Sequence, residues 1–267
     1  MSKLIKESKL PSCEVTLNML FQIESFLLSD IFQILNINEK YYEVNLSISV
    51  ADNFGHETFK SSKLLPDIFT NSTSRISLNY YLRLSRGNIY NIIRESNKKE
   101  DIDISEEVDN IYNDCESKLY YLSIDISLSN DHTSESLRIT YEGDSARARV
   151  VSIYDAINRI FEHDKNHNYL YNPSTGVSII LGITCYLALL LSIGVTLLKR
   201  YSLGLIFLSI FILTLFYLSF AKKTHPYFLF YSKVTEKYKK WNNWFVYNAI
   251  FIILINIIFF FLKSIFF

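Results

Sequence analysis

The C-terminal third of the chain contains three stretches free of acidic and basic side chains, at about 177–198, 203–220 and 244–262. A helix rises about 1.5 Å per residue, so each stretch is long enough to cross the ~30 Å hydrocarbon core of a bilayer. Core helices of soluble proteins seldom sustain such runs. The sequence is therefore read as a soluble region of residues 1–174 followed by an all-α membrane region of residues 175–267 with three transmembrane helices.

Charge divides along the same line. Residues 1–174 carry 18 Lys and Arg against 26 Asp and Glu, a net of −8, and residues 175–267 carry 9 against 1, a net of +8. An acidic domain is a poor match for a phosphate backbone, so no nucleic-acid partner is expected. In the membrane region the basic residues read as topology signals. Residues 221–243 hold Lys222, Lys223, Lys233, Lys237, Lys239 and Lys240 against Glu236 alone, whereas the turn between the first two stretches holds Lys199 and Arg200. The positive-inside bias places 221–243 in the cytoplasm, and the N-terminal region, two spans earlier, on that same side. No cleavable signal peptide is expected, because Glu14, Glu24 and Asp30 interrupt the stretch after Lys3, Lys6 and Lys9. Cys13, Cys115 and Cys185 have spacings that fit no metal site, and their odd number suits free thiols in a reducing compartment. The expected location is the cell's inner (plasma) membrane, multi-pass, with a cytoplasmic N-terminus.

Aromatic residues mark the boundaries: Tyr169, Tyr171 and Tyr201 around the first stretch, Trp241 and Trp244 before the third. Tyr and Trp favour the headgroup level. After Pro226, the spacing of Phe228, Tyr231, Val234, Tyr238 and Trp241 predicts an amphipathic helix in the interface. Its lysines would face anionic headgroups, which makes a bilayer with an anionic inner leaflet the expected partner. Lys233, Lys237, Lys239, Lys240, Trp241 and Trp244 form the candidate membrane-interface set.

Inside the spans, Ser178, Gly182, Cys185, Ser192 and Thr196 fall on one stripe of the first helix, interrupted by Leu189. Small residues let helix backbones approach closely. Asn248 and Asn256, eight apart in the third, are the candidate intramembrane polar residues. Both sets suit packing within one bundle, and equally self-association or a polar path.

The soluble region is predicted to be α+β, an antiparallel sheet with helices. Asn18, Gln22, Ser25, Ser29, Gln33 and Asn36 trace a narrow polar stripe, predicting one long helix over 14–36 with a wide apolar face. Alternating apolar residues predict strands at 42–50, 76–84, 120–128 and 137–141, with a turn at Asp52–Gly55. Residues 87–117 are polar and acidic, suiting a helical insertion or a mobile loop. Two segments echo each other: strand, turn, Ser61 and a helix to Phe69; strand, Gly143-Asp144, Ser152 and a helix to Phe161. Both read as a hairpin, a serine N-cap and a short helix.

No sequence motif carries recognisable chemistry. Gly-rich phosphate loops are absent. His163 and His167 have the spacing for one helix face, but no third metal ligand accompanies them. His56 follows a turn glycine and reads as an exposed hairpin residue. Arg147 and Arg149, after Asp144, are expected on one strand face, suited either to an anionic ligand or to neighbouring acids. No catalytic residue, cofactor or metal is expected. The organisation leads to the expectation of a domain that senses a signal or partner and controls a membrane-embedded homo-oligomer, an effector of the abortive-infection type in bacterial antiviral defence. The alternative is a passive anchor or accessory subunit of a larger complex, with helix 14–36 as the docking element. A membrane-tethered enzyme is the third and weakest reading.

Overall fold

The computed structural model describes residues 2–65, 69, 72–96, 104–130, 136–166, 175–224, 227–230, 240, 244 and 247. The chain divides into two units, Met1–Asn166 and His167–Phe267.

The first unit is α+β. Its centre is a six-stranded antiparallel sheet in the order β1-β7-β6-β5-β3-β4, formed by β1 (Ser2–Ser8), β3 (Tyr42–Asp52), β4 (Gly55–Phe59), β5 (Arg75–Leu84), β6 (Leu119–Ser129) and β7 (Leu137–Gly143). Alternation sets the register. Ile48 lies opposite Leu78, Leu78 opposite Ile126, and Ile124 opposite Ile139, so one face collects these buried side chains. The other face carries Ser49, Ser77 and Ser127 in line across three strands. Antiparallel sheets tolerate this division into one packed and one solvated face. Gly143 is required where β7 meets β6, because a Cβ there would run into the Lys118 carbonyl oxygen and lie 3.0 Å from the Leu119 Cα.

The buried face is covered by α5 (Ala146–His163), which presents Val150, Ile153, Ile157 and Phe161 inward and contacts β7 and β1. Against α5 packs an almost unbroken helix made of α1 (Leu17–Ser25), a π-turn (Phe26–Asp30) and α2 (Ile31–Leu35). Thr16 caps it, accepting from the Met19 N–H at 3.2 Å, and Asn36 ends it in the left-handed conformation. The six residues of the expected polar stripe are exposed or half-buried, while Leu20, Ile23, Leu27, Ile31 and Leu35 are buried. The helix begins at Leu17 rather than 14, because Cys13–Val15 is a short strand, β2. Glu24 is buried on this helix, where its carboxylate accepts from the Ser62 N–H at 2.8 Å and from the Ser62 hydroxyl.

Strand β1 is not announced by alternation: its lysines interrupt the apolar pattern, yet it pairs with β7 along its whole length. The expectation for Arg147 and Arg149 needs correction. They lie in the first turns of α5, not on a strand, because the chain turns at Asp144 and Ser145 and the run Ala-Arg-Ala-Arg suits a helix. The internal echo fails with it: Ser152 is no N-cap, its hydroxyl donating back to the Ala148 carbonyl within α5. The polar insertion is helical, the first of its two expected forms, with α3 (Arg86–Ser96) and α4 (Ser105–Lys118); residues 97–103 between them lie outside the described residues.

The segment between β1 and β2 is tied to the end of this unit. Asn166 N–H donates to the Ser12 carbonyl at 2.9 Å, and the Ser12 hydroxyl donates to the Asn166 carbonyl at 3.1 Å.

The second unit contains two apolar helices, α6 (Thr175–Leu197) and α7 (Tyr201–Thr224), packed against each other as a hairpin. Within α6, Gly176–Leu197 is long and apolar enough to cross a membrane: it runs 22 residues, and its most apolar 18-residue stretch has a mean hydropathy of 2.3 with only 17% of it buried. In α7 the described apolar stretch is shorter, Tyr201–Leu215. The expected interfacial helix does not begin at Phe228, since α7 continues to Thr224 and Phe228–Phe230 is a strand, β8. Its Phe-Leu-Phe sequence places two aromatic residues where extended backbone suits them. The third apolar stretch lies outside the described residues, apart from Trp244 and Tyr247, which are helical and exposed.

Candidate functional site

The turn between α6 and α7 is short. Lys199 adopts a left-handed φ of 60°, and the N–H groups of Lys199 and Arg200 return to the carbonyls of Thr196 and Val195 at 2.9 and 3.1 Å. This reverses the chain over a few residues and brings the last turns of α6 against the first of α7.

The contact is made by the polar and small residues of the α6 stripe. Cys185, Ala188 and Ser192 are the buried residues of α6. The Ser192 hydroxyl donates to the Gly204 carbonyl on α7 at 2.9 Å, and the Cys185 thiol reaches the Phe211 carbonyl at 3.8 Å. Gly204 is the matching surface: a Cβ there would run into Thr196 Oγ1 and lie 3.3 Å from the Ser192 carbonyl oxygen. Gly182, at the far end of the stripe, has open space for 4 Å around the point where a Cβ would stand, so the close approach is confined to the turn-proximal half. The stripe is legible in the sequence, but Gly204 is not; the signal that would find it is a glycine just past a two-residue basic turn, opposite a serine and a threonine.

The outward surface has the reverse character. Ile179, Ile180, Ile183, Leu187 and Leu190 are roughly half exposed, with Ile180 at 64%. The exposed hydroxyls do not reach outward: Thr184 donates to the Ile180 carbonyl, Ser209 to Leu205 and Thr214 to Ile210, each at 2.9 Å. Thr196 donates to the Ser192 carbonyl at 2.7 Å. Thus apolar side chains face out, and every one of these hydroxyls has an acceptor on a helix backbone. That is the arrangement hydrocarbon requires, because it offers polar groups no partner.

The interface set fares unevenly. Lys240 and Trp244 are helical and exposed, whereas Lys233, Lys237, Lys239 and Trp241 lie outside the described residues, as do Asn248 and Asn256, the candidate intramembrane polar residues. In the first unit, His163 ends α5 and contacts Asp164 at 3.0 Å, while His167 lies outside the described residues. Among the described residues no cluster of His, Cys, Asp or Glu could hold a metal ion. Arg149 donates to the Ile34 carbonyl and so ties α5 to the end of α2; that geometry gives it a structural partner in place of an anionic ligand. Burial pushes the Cys13 thiol far above its ordinary value, with the Asp164 and Glu14 charges adding to the effect. It is a packed, unreactive thiol.

No family model matches this chain, and no curated protein or solved structure matches it either.

Proposed function

We propose that this chain is a multi-pass membrane protein whose N-terminal α+β domain lies in the cytoplasm, senses a signal or partner, and controls a membrane-embedded oligomer. The reading extends to an effector of the abortive-infection type, in which the assembled spans perturb the inner membrane. The observation that supports it best is the α6–α7 hairpin, with apolar residues outward and Cys185, Ser192 and Gly204 in the contact. Three spans, an interfacial basic segment at 221–243 and N-in, C-out topology complete the proposal, on the strength of the uncharged stretches and the lysine asymmetry.

The test is induced expression beside mass measurement in detergent. Wild type should depolarise cells and run as an oligomer. Asn248→Leu with Asn256→Leu should weaken association, by about 0.6–2 kcal/mol per interhelical hydrogen bond, and blunt depolarisation. A monomeric wild type with no effect on membrane potential would eliminate the effector reading.

One observation favours the second reading, an accessory subunit. Phe21 and Leu28, seven apart on the helix spanning α1 and the π-turn, are 37% and 39% exposed beside the polar stripe. Large apolar side chains placed so suit a protein contact.

A further inference from the structure

We propose that the cavity at the β3–β4 hairpin is a binding site for a small organic cation. The cavity measures about 350 Å³, near the lower end of the range that small-molecule sites occupy. The residues that line it include three aromatic ones, Phe54, Phe59 and Phe69, and two acidic ones, Asp52 and Glu57, and no Lys or Arg among the described residues. Aromatic faces attract cations through the ring quadrupole, and carboxylates add charge.

Two features of the hairpin bear on the cavity. The first is Phe54. The turn is made by Asp52, whose carboxylate accepts the Phe54 and Gly55 N–H groups at 2.8 and 3.1 Å, and by Gly55 at φ 145°. Phe54 contributes only its backbone to that turn, yet holds a large aromatic side chain 90% exposed at the cavity rim. The second is Glu57. It stands opposite Val50, two places from Phe59 opposite Ile48, and so shares the face that Leu46 and Ile48 bury farther along β3. Glu57 is exposed on the edge strand, so its carboxylate stands at the solvent margin of that face, with no ion pair among the described residues. An exposed aromatic and an exposed carboxylate, both at one cavity, fit a ligand with an ammonium or guanidinium head and a hydrocarbon body.

The proposal goes beyond the membrane reading and does not depend on it. The full chain, in nonionic maltoside micelles at physiological ionic strength, is titrated calorimetrically with choline, agmatine and spermidine. At least one should bind saturably with a sub-millimolar Kd. Glycerophosphocholine, which adds a phosphate to the same ammonium, should bind at least about tenfold more weakly, because Asp52 and Glu57 repel it. Glu57→Gln and Phe54→Ala change exposed residues, so the fold should persist, and each should weaken binding roughly fivefold or more. Absence of saturable binding by all three amines would overturn the proposal, as would binding that both variants leave unchanged. Glycerophosphocholine binding as tightly as choline would assign the site to a lipid headgroup and overturn it as a small-cation site.

Discussion

The Ser192 hydroxyl on α6 donates to the Gly204 carbonyl on α7 at 2.9 Å, and the absence of a side chain at Gly204 is what permits it. The hydroxyls of Thr184, Thr196, Ser209 and Thr214 are satisfied within their own helices, whereas this bond joins the two, so it fixes which faces meet. Gly204→Val should force the helices apart, because its Cβ would collide with Thr196. Ser192→Ala should cost only about 0.6 kcal/mol, an average interhelical bond. Thermal unfolding in detergent should rank wild type, Ser192→Ala and Gly204→Val in falling order; a Gly204→Val protein as stable as wild type would refute the close approach.

In the first unit, the buried Glu24 holds the 61–65 turn through Ser62. Glu24→Ala leaves the buried Ser62 N–H and hydroxyl unpaired, and should lower stability by about 1–3 kcal/mol. Ser62→Ala removes only one donor and should cost less. Urea denaturation of both variants and the double mutant gives the coupling, expected to be non-zero because the residues touch. Additive losses would contradict a direct carboxylate–serine pairing.

The sheet and the long helix are legible in the sequence because their side-chain periods are clean. Leu46, Ile48, Leu78, Ile124 and Ile126 alternate with polar or outward-facing neighbours, and Asn18, Gln22 and Ser25 follow the helical period. What is not legible depends on partners far along the chain. The edge strand β1 carries Lys3 and Lys6, and Lys6 gains a partner that sequence does not reveal: its ammonium lies over the Tyr154 ring on α5, 3.5 Å from the centroid. Arg147 and Arg149 resemble strand residues because Leu137–Gly143 precedes them and Asp144-Ser145 reads equally as a hairpin turn; Ser145, at the start of α5, is left-handed and makes no side-chain cap. His56 is legible as an exposed hairpin histidine, which it is. Its cavity is not, because sequence alone does not show that Phe69, ten residues past Phe59, lines the same space.

Stability of the first unit should fall in alkali. Burial raises the ionisation of Cys13, Tyr42 and Tyr80 above the ordinary values of 9.0 for a thiol and 10.0 for a phenol. The folded chain therefore keeps protons that the unfolded chain gives up, so stability is full below about pH 9 and declines as pH rises beyond it. Tyr80 also has a buried hydroxyl without a partner among the described residues. Tyr80→Phe should hold stability at pH 7 or raise it by about 1 kcal/mol, and should flatten the alkaline decline. A loss greater than about 1 kcal/mol at pH 7 would show that the hydroxyl is bonded.

The basic segment before the third stretch should bind an anionic surface by charge. Lys237, Lys239 and Lys240 each contribute about 1 kcal/mol near such a surface. Replacing all three with Glu should detach a peptide of residues 221–243 from anionic vesicles, and raised salt should do the same to the wild-type peptide. Unchanged vesicle binding by the triple variant would refute the electrostatic role.

The central claim is a cytoplasmic sensing domain attached to spans that begin with α6. A reporter active only in the cytoplasm, placed in turn before Ser2, within 221–243 and after Phe267, tests it most directly. The account predicts activity at the first two positions and silence at the third. Silence at the first two with activity after Phe267 would invert the topology, and activity at all three would contradict an odd number of spans.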